Sequence, residues 1–216
     1  MEFNDVLHKR HSTRRFTDQQ IKTNTLREII RDAQRAPSWL DAQETRVYVA
    51  TGEATKIIRN AYEECAKDCL IGVSDYTVVH RTEWSPDAQR NMDQFSRDME
   101  TFLGGEIDDF VHAQDDLFFA PTLVFLTLPK NATKWAIMDL GAFQQTLLLS
   151  AASRGIGSIV AYSIIKHPDV IRKYLPIPDN EDIAAGIALG YEDPAHRINS
   201  FHAQRMPLDS IMVMKK

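Results

Sequence analysis

Four cationic side chains, Lys9, Arg10, Arg14 and Arg15, fall within seven residues near the start of the chain, with the hydroxyls of Ser12 and Thr13 between them. An arginine guanidinium is a planar fork that pairs with phosphate or carboxylate oxygens two at a time. Hydroxyls and backbone amides at a helix end complete an anion site. The chain that carries this cluster is acidic, with 25 Lys and Arg against 30 Asp and Glu, a net charge of −5 and a pI of about 5.8. An anion site here has to be built locally, against the overall field. The same balance excludes a general nucleic-acid surface. Taken alone, the cluster is also what a solvated run of charge looks like.

The other chemical candidates are weaker. Gly155-Ile156-Gly157-Ser158 suggests a dinucleotide fingerprint, but Val160 stands where its third glycine belongs. The order is also helix, glycines, strand rather than strand, glycines, helix. Gly155 reads instead as a left-handed helix cap and Gly157 as a point of close approach. No nucleophile elbow and no Walker sequence occurs. His80, His112, His167, His196 and His202 are scattered without metal-ligand spacing, and Cys65 and Cys69, four apart on one helix, read as structural. Arg205 lies in a polar tail and gains meaning only if that tail returns to the N-terminal cluster.

Hydrophobic spacing supplies the elements around these residues. Phe3, Val6 and Leu7 mark a short helix leading into the basic cluster. Thr25-Leu26-Arg27-Glu28 reads as a capping box opening a helix that Pro37 ends. Strands are expected at residues 47–50, 121–128, 156–161 and 183–189, and helices at 53–70, 87–103, 135–153 and after His167-Pro168. The helix at 87–103, broken by Gly104-Gly105, is polar with few apolar positions and reads either as a solvated excursion or as cover for a partner. The mixture lacks a strict βαβ rhythm, which predicts α+β. At 216 residues, 44% hydrophobic and 25% charged, with no repeats or linkers, residues 1–216 read as one domain, with a helical excursion near 87–118 and a tail 192–216 packed on something. The apolar run 118–128 is too short to cross a membrane, and no signal peptide is seen, so a cytoplasmic location is expected.

In sequence order the motifs resemble the nitroreductase family of FMN enzymes along nearly the whole chain. Arg10-His11-Ser12-Thr13-Arg14-Arg15-Phe16 is similar to its opening basic motif, and Ala36-Pro37-Ser38-Trp39-Leu40-Asp41-Ala42-Gln43 to its second loop. Phe118-Phe119-Ala120-Pro121, the helix with Asp139, Gly141 and Gln145, and Gly155-Ile156-Gly157-Ser158 follow. Gly186-Ile187-Ala188-Leu189-Gly190-Tyr191 then leads to Asn199, Arg205, Pro207 and Leu208.

The resemblance implies a three-layer α+β fold with a central mixed or antiparallel sheet, in an intertwined homodimer with FMN at the interface. The tail would pack on the partner subunit. NADH or NADPH would reduce the flavin in a ping-pong cycle, and nitroaromatics, quinones or similar electron-poor compounds would accept the electrons. Position by position, Arg10 and Ser12, with His11 alongside, would hold phosphate and ribityl chain, and Arg205 would close on the phosphate. Arg14 would approach the flavin N1/O2 edge and stabilise negative charge there. Ser38, Trp39 and Asp41 would come from the partner subunit onto the ring. Val160, Ala161, Tyr162 and Ser163 would flank its other side, and Gln145 would join the cofactor site from the core helix. With chemistry on the flavin, no catalytic side chain and no metal is expected.

Four positions depart from the family pattern: Asp41 for an asparagine, Glu44 and Thr45 for a proline and an aromatic, and Ala203 for a lysine that some members carry. A carboxylate at the ring disfavours an anionic reduced flavin. The same fold therefore also allows a different reductive reaction, such as dehalogenation or ring dehydrogenation, or a non-catalytic flavin-binding protein.

Overall fold

The computed structural model describes residues 2–215. Four strands form one antiparallel sheet in the order β1-β2-β4-β3: β1 is Arg46–Thr51, β2 Thr122–Pro129, β3 Gly157–Val160 and β4 Glu181–Gly190. β2 is buried along seven of its eight positions. That burial on both faces explains its unbroken apolar run.

Each face of the sheet carries helices. On one side α2 (Thr23–Ala33) and α6 (Lys134–Ser153) bury Leu26, Ile29, Leu140, Leu147 and Ala151 against Val124, Leu126 and Ile187. On the other, α3 (Glu53–Lys67) and α7 (Pro168–Tyr174) bring Ile58, Tyr62 and Ile171 against Leu123, Phe125 and Ala188. β4 changes parity between these faces. Leu126 pairs with Ala185 but Thr127 with Ile183, so Ala184 is an extra residue. This bulge sends Ile183 to the α3 side and Ala185 and Ile187 to the α6 side, a switch that simple alternation misses.

The expected capping box is not formed. α2 starts at Thr23, and its N-cap, Lys22, makes no side-chain cap. Ile21 before the cap and Leu26 in the first turn are both buried in the same cluster, the arrangement of a hydrophobic staple. The N-cap thus falls at Lys22, three residues before the Thr25 of the expected capping box. By contrast, α6 ends as its sequence predicts. Gly155 has φ +72°, its amide donates to Ala152 O and the Ile156 amide to Ala151 O, both at 3.0 Å. These two bonds make a Schellman motif, and the chain passes directly into β3.

The excursion consists of α4 (Pro86–Leu103), capped by Ser85, and α5 (Ile107–Asp115). Most of α4 is exposed, and its buried residues Met99 and Leu103 pack on Phe201 of the tail. After α5 comes a turn in which Leu117, Phe118 and Phe119 all have left-handed φ, at 46°, 63° and 59°. Such a conformation costs about 1–2 kcal/mol per non-glycine residue. Leu117 and Phe118 are fully buried there, and Asp116 is held bidentately by Arg59 at 2.5 and 2.6 Å.

Candidate active site

The basic motif sits where α1 (Phe3–Lys9) ends and the chain joins the sheet edge beyond β3. Ser12 bridges Ser158 in parallel, the Thr13 amide donates to Ser158 O at 3.0 Å, and Phe16 bridges Glu192. The approach is close: a Cβ on Gly157 would lie 2.5 Å from Thr13 Oγ1. Gly157 is therefore the close-approach position that the sequence suggested. Gly157→Ala is expected to cost about 1–3 kcal/mol by overpacking, read as a fall in thermal midpoint together with weaker FMN retention.

Asn199, 2% exposed, fixes the next stretch of backbone. Its Oδ1 accepts from the Arg14 and Arg15 amides at 2.7 and 3.1 Å, and its Nδ2 donates to Arg15 O and Asp193 O at 2.8 and 3.0 Å. The sequence motif included Asn199 without showing this clamp, because the two segments lie 185 residues apart.

The arginines then have separate surroundings. Arg10 is half-buried, and its guanidinium is held below the ordinary arginine value first by desolvation and then by Arg205. The tail thus returns to the N-terminal cluster. Among the described residues neither Arg10 nor Arg205 forms an ion pair, and Arg205 donates only to the nearby Ala203 and Gln204 carbonyls. Arg14 is 6% exposed, and burial pulls its pKa down to about 10. It remains a cation at neutral pH, donating to Ser12 O at 3.1 Å and Phe201 O at 3.4 Å. Arg15 stacks over Phe119, 3.3 Å from the ring centroid. His11 bonds the Lys9 carbonyl through Nδ1, stands 2.9 Å from Glu192 through Nε2 and lies against the His202 ring. A cleft of about 210 Å3 is lined by Arg10, His11, Thr13, Glu192 and residues 155–158.

Val160 ends β3, and residues 161–163 follow it directly. Val160 and Tyr162 are exposed and Ser163 is buried with its hydroxyl unpartnered. A single helical turn starts at Tyr162, and such a turn leaves its leading amides without partners in the helix.

The second loop lies elsewhere. Ser38, Trp39 and Asp41 are carried between α2 and β1, and the Trp39 amide donates to Asp139 of α6 at 2.9 Å. Trp39 stacks on Trp135, with centroids 4.6 Å apart and planes at 25°. Asp41 is exposed with φ 60°, and no ion pair reaches it among the described residues. Gln145 is exposed on α6. The structure therefore gathers Arg10, His11, Ser12 and Arg14 at the β3 edge beside residues 155–158, with Arg205 of the tail near Arg10, while residues 160–163 lie at the C-terminal end of the same strand. It attaches Ser38, Trp39 and Asp41 to α6 instead, where Gln145 also lies. Trp135 and Asp139 were not assigned from sequence, although their spacing of four already put them on one helix face.

An antiparallel sheet with helices on both faces and an edge-bound basic motif defines an α+β class of fold. Residues 7–191 match the nitroreductase family, and the chain belongs to that family. It is 30% identical to a 4-nitrobenzoate reductase of Nocardioides sp. (strain LMS-CY), over 96% of this chain and 87% of that one. It is 28% identical to a nitrobenzene nitroreductase of Ectopseudomonas oleovorans, over 95% and 93%. Among solved structures it resembles the FMN-dependent nitroreductase NfnB from Mycobacterium smegmatis in complex with NADPH. The TM-score is 0.91 at 22% identity, over 99% and 98% of the two chains. No helix among the described residues is long and apolar enough to cross a membrane.

Proposed function

We propose that the protein is an FMN-dependent oxidoreductase that draws electrons from NADH or NADPH and passes them to nitroaromatics, quinones or similar electron-poor acceptors in a ping-pong cycle. The observation that carries this reading is the uncompensated Arg10–Arg205 pair. Arg205 lies close enough to Arg10 to lower it, and among the described residues no carboxylate pairs with either guanidinium, an arrangement that suits a phosphate dianion. The residues therefore fit the cofactor. FMN, when bound, supplies two-electron chemistry that no side chain here provides.

The chain's own groups have definable tasks. Arg10 and Arg205 hold the phosphate, with Ser12 and His11 beside them. The buried Arg14, donating to Ser12 O, is a fixed positive charge that would favour negative charge on the ring. Tyr162 and Ser163 offer backbone amides, and Val160 and Ala161 beside them would flank the ring.

A homodimer completes the site in this reading. The outer face of α6 exposes Trp135, Ile137, Met138, Gly141 and Gln145. A helix that is apolar on both sides calls for cover on both. Met206, Leu208 and Ile211 to Met214 of the tail are likewise exposed, while the tail's earlier Asn199 and Phe201 are buried in their own chain. A second copy covering α6 would bring Ser38, Trp39 and Asp41 of one subunit toward the basic motif of the other.

The test is the absorption spectrum of purified protein. Yellow protein whose flavin band bleaches on adding NADH or NADPH and returns with a nitroaromatic is the expected result. Colourless protein that refuses added FMN would overturn the proposal.

A further inference from the structure

Trp39 is held at two points by one helix. Asp139 accepts its backbone amide at 2.9 Å, and the Trp135 indole stacks on its ring at 4.6 Å. Trp135 and Asp139 are four residues apart on α6, so one helix face fixes both the backbone and the ring of the same loop residue.

The loop is closed by hydrogen bonds of its own. Asp41 and Ala42 amides close onto Ser38 O and Trp39 O at 3.1 and 2.9 Å, and the Gln43 amide closes onto Ser38 Oγ at 3.2 Å. Leu40, Asp41 and Gln43 are all left-handed, with φ of 46°, 60° and 49°. A connection from α2 to β1 needs none of this strain, and backbone strain of this kind concentrates at ligand-holding sites. Neither indole belongs to the buried core: Trp39 is 53% exposed and Trp135 51%. Within one chain two large aromatic rings are thus stacked and anchored with half their surface open, on the face of α6 that a second copy would cover beside its own basic motif.

We infer that Trp135 and Asp139 are positioning residues for Trp39, and that the stacked indoles form a shelf selecting planar, electron-poor aromatic acceptors. The inference rests on the flavin reading above. An indole face is electron-rich. A ring stripped of density by a nitro group presents the opposite quadrupole, so the two attract face to face. A non-aromatic oxidant gains nothing from such a surface.

The test uses FMN-loaded enzyme and two acceptors, nitrobenzene and ferricyanide, with far-ultraviolet circular dichroism as a separate readout of the indole pair. Trp135→Ala should abolish the exciton couplet of the stacked indoles, whereas Trp84→Phe, at the one tryptophan outside the pair, should leave it. The KM for nitrobenzene should rise about two- to tenfold relative to that for ferricyanide, as expected for loss of one aromatic contact. Trp135→Phe should recover most of this preference. Asp139→Ala should reproduce the loss, and Asp139→Asn, which keeps an acceptor oxygen, should not. A couplet lost with the KM ratio unchanged would overturn the shelf, as would equal loss for both acceptors or a couplet that survives Trp135→Ala. Those results leave the enzyme yellow and reducible, whereas failure of the flavin reading leaves it colourless.

Discussion

Replacing Arg10 and Arg205 together by glutamine is expected to lower FMN affinity by about two to four orders of magnitude, as loss of two charge-assisted phosphate contacts should. The apo fold should survive, because the pair is not part of the packing. Arg10 is half-buried, Arg205 is exposed, and Arg205 depresses rather than supports the charged form of Arg10. Removing one cation therefore relieves repulsion in the empty protein and removes attraction in the loaded one. Equilibrium titration of apo-protein with FMN measures the loss, and repetition over a salt series gives a second reading. Affinity should fall with salt in the parent and more shallowly in the double variant, since fewer charges remain to be screened. Unchanged affinity would place the phosphate elsewhere. Arg14 should behave differently. Its guanidinium is buried against Ser12 O and Phe201 O, so Arg14→Ala should slow reduction more than it weakens binding and should also lower thermal stability.

Asn199→Ala is expected to be the most destabilising single change near the site. It leaves two buried amides and two carbonyls without their partner at once. Buried polar groups left unsatisfied cost about 1–3 kcal/mol each, and local adjustment or water recovers part of that. A net loss of about 2–4 kcal/mol corresponds to a fall of roughly 5–15 °C in thermal midpoint for a domain of this size. Calorimetry of apo and FMN-saturated protein separates two effects. If Asn199 fixes the backbone that carries the arginines, the stabilisation by FMN should also shrink, because the anion site is no longer preformed. An equal drop in both forms would make Asn199 a fold residue only.

The sequence pattern revealed those parts of the fold that are determined locally. The apolar run of β2, the all-round apolar α6 and the glycine closing it each carry their signal in adjacent residues. The start of α2 was misread because the capping-box pattern at Thr25 competes with the burial of Ile21 and Leu26 together, a tertiary contact. The bulge at Ala184 is invisible for a similar reason: the residues on either side of it are all apolar, so nothing marks the change of face. At the site, the cluster at Arg10 could not be told from a solvated run until the tail placed Arg205 against it. The Asn199 clamp and the Trp39–Trp135 stack join segments far apart in sequence, and their residue types alone do not name their partners.

The turn at Leu117, Phe118 and Phe119 is locked from two directions. Glycine would relax the left-handed backbone but would empty Leu117 or Phe118 from the core, at about 3–5 kcal/mol for each large side chain removed. A β-branched residue of similar bulk would fill the space and worsen the strain. Neither route improves on what is there, so these positions should resist drift although no chemistry happens at them. The Phe119 ring, which this turn delivers beneath Arg15, is held in place by a dead end in substitution space.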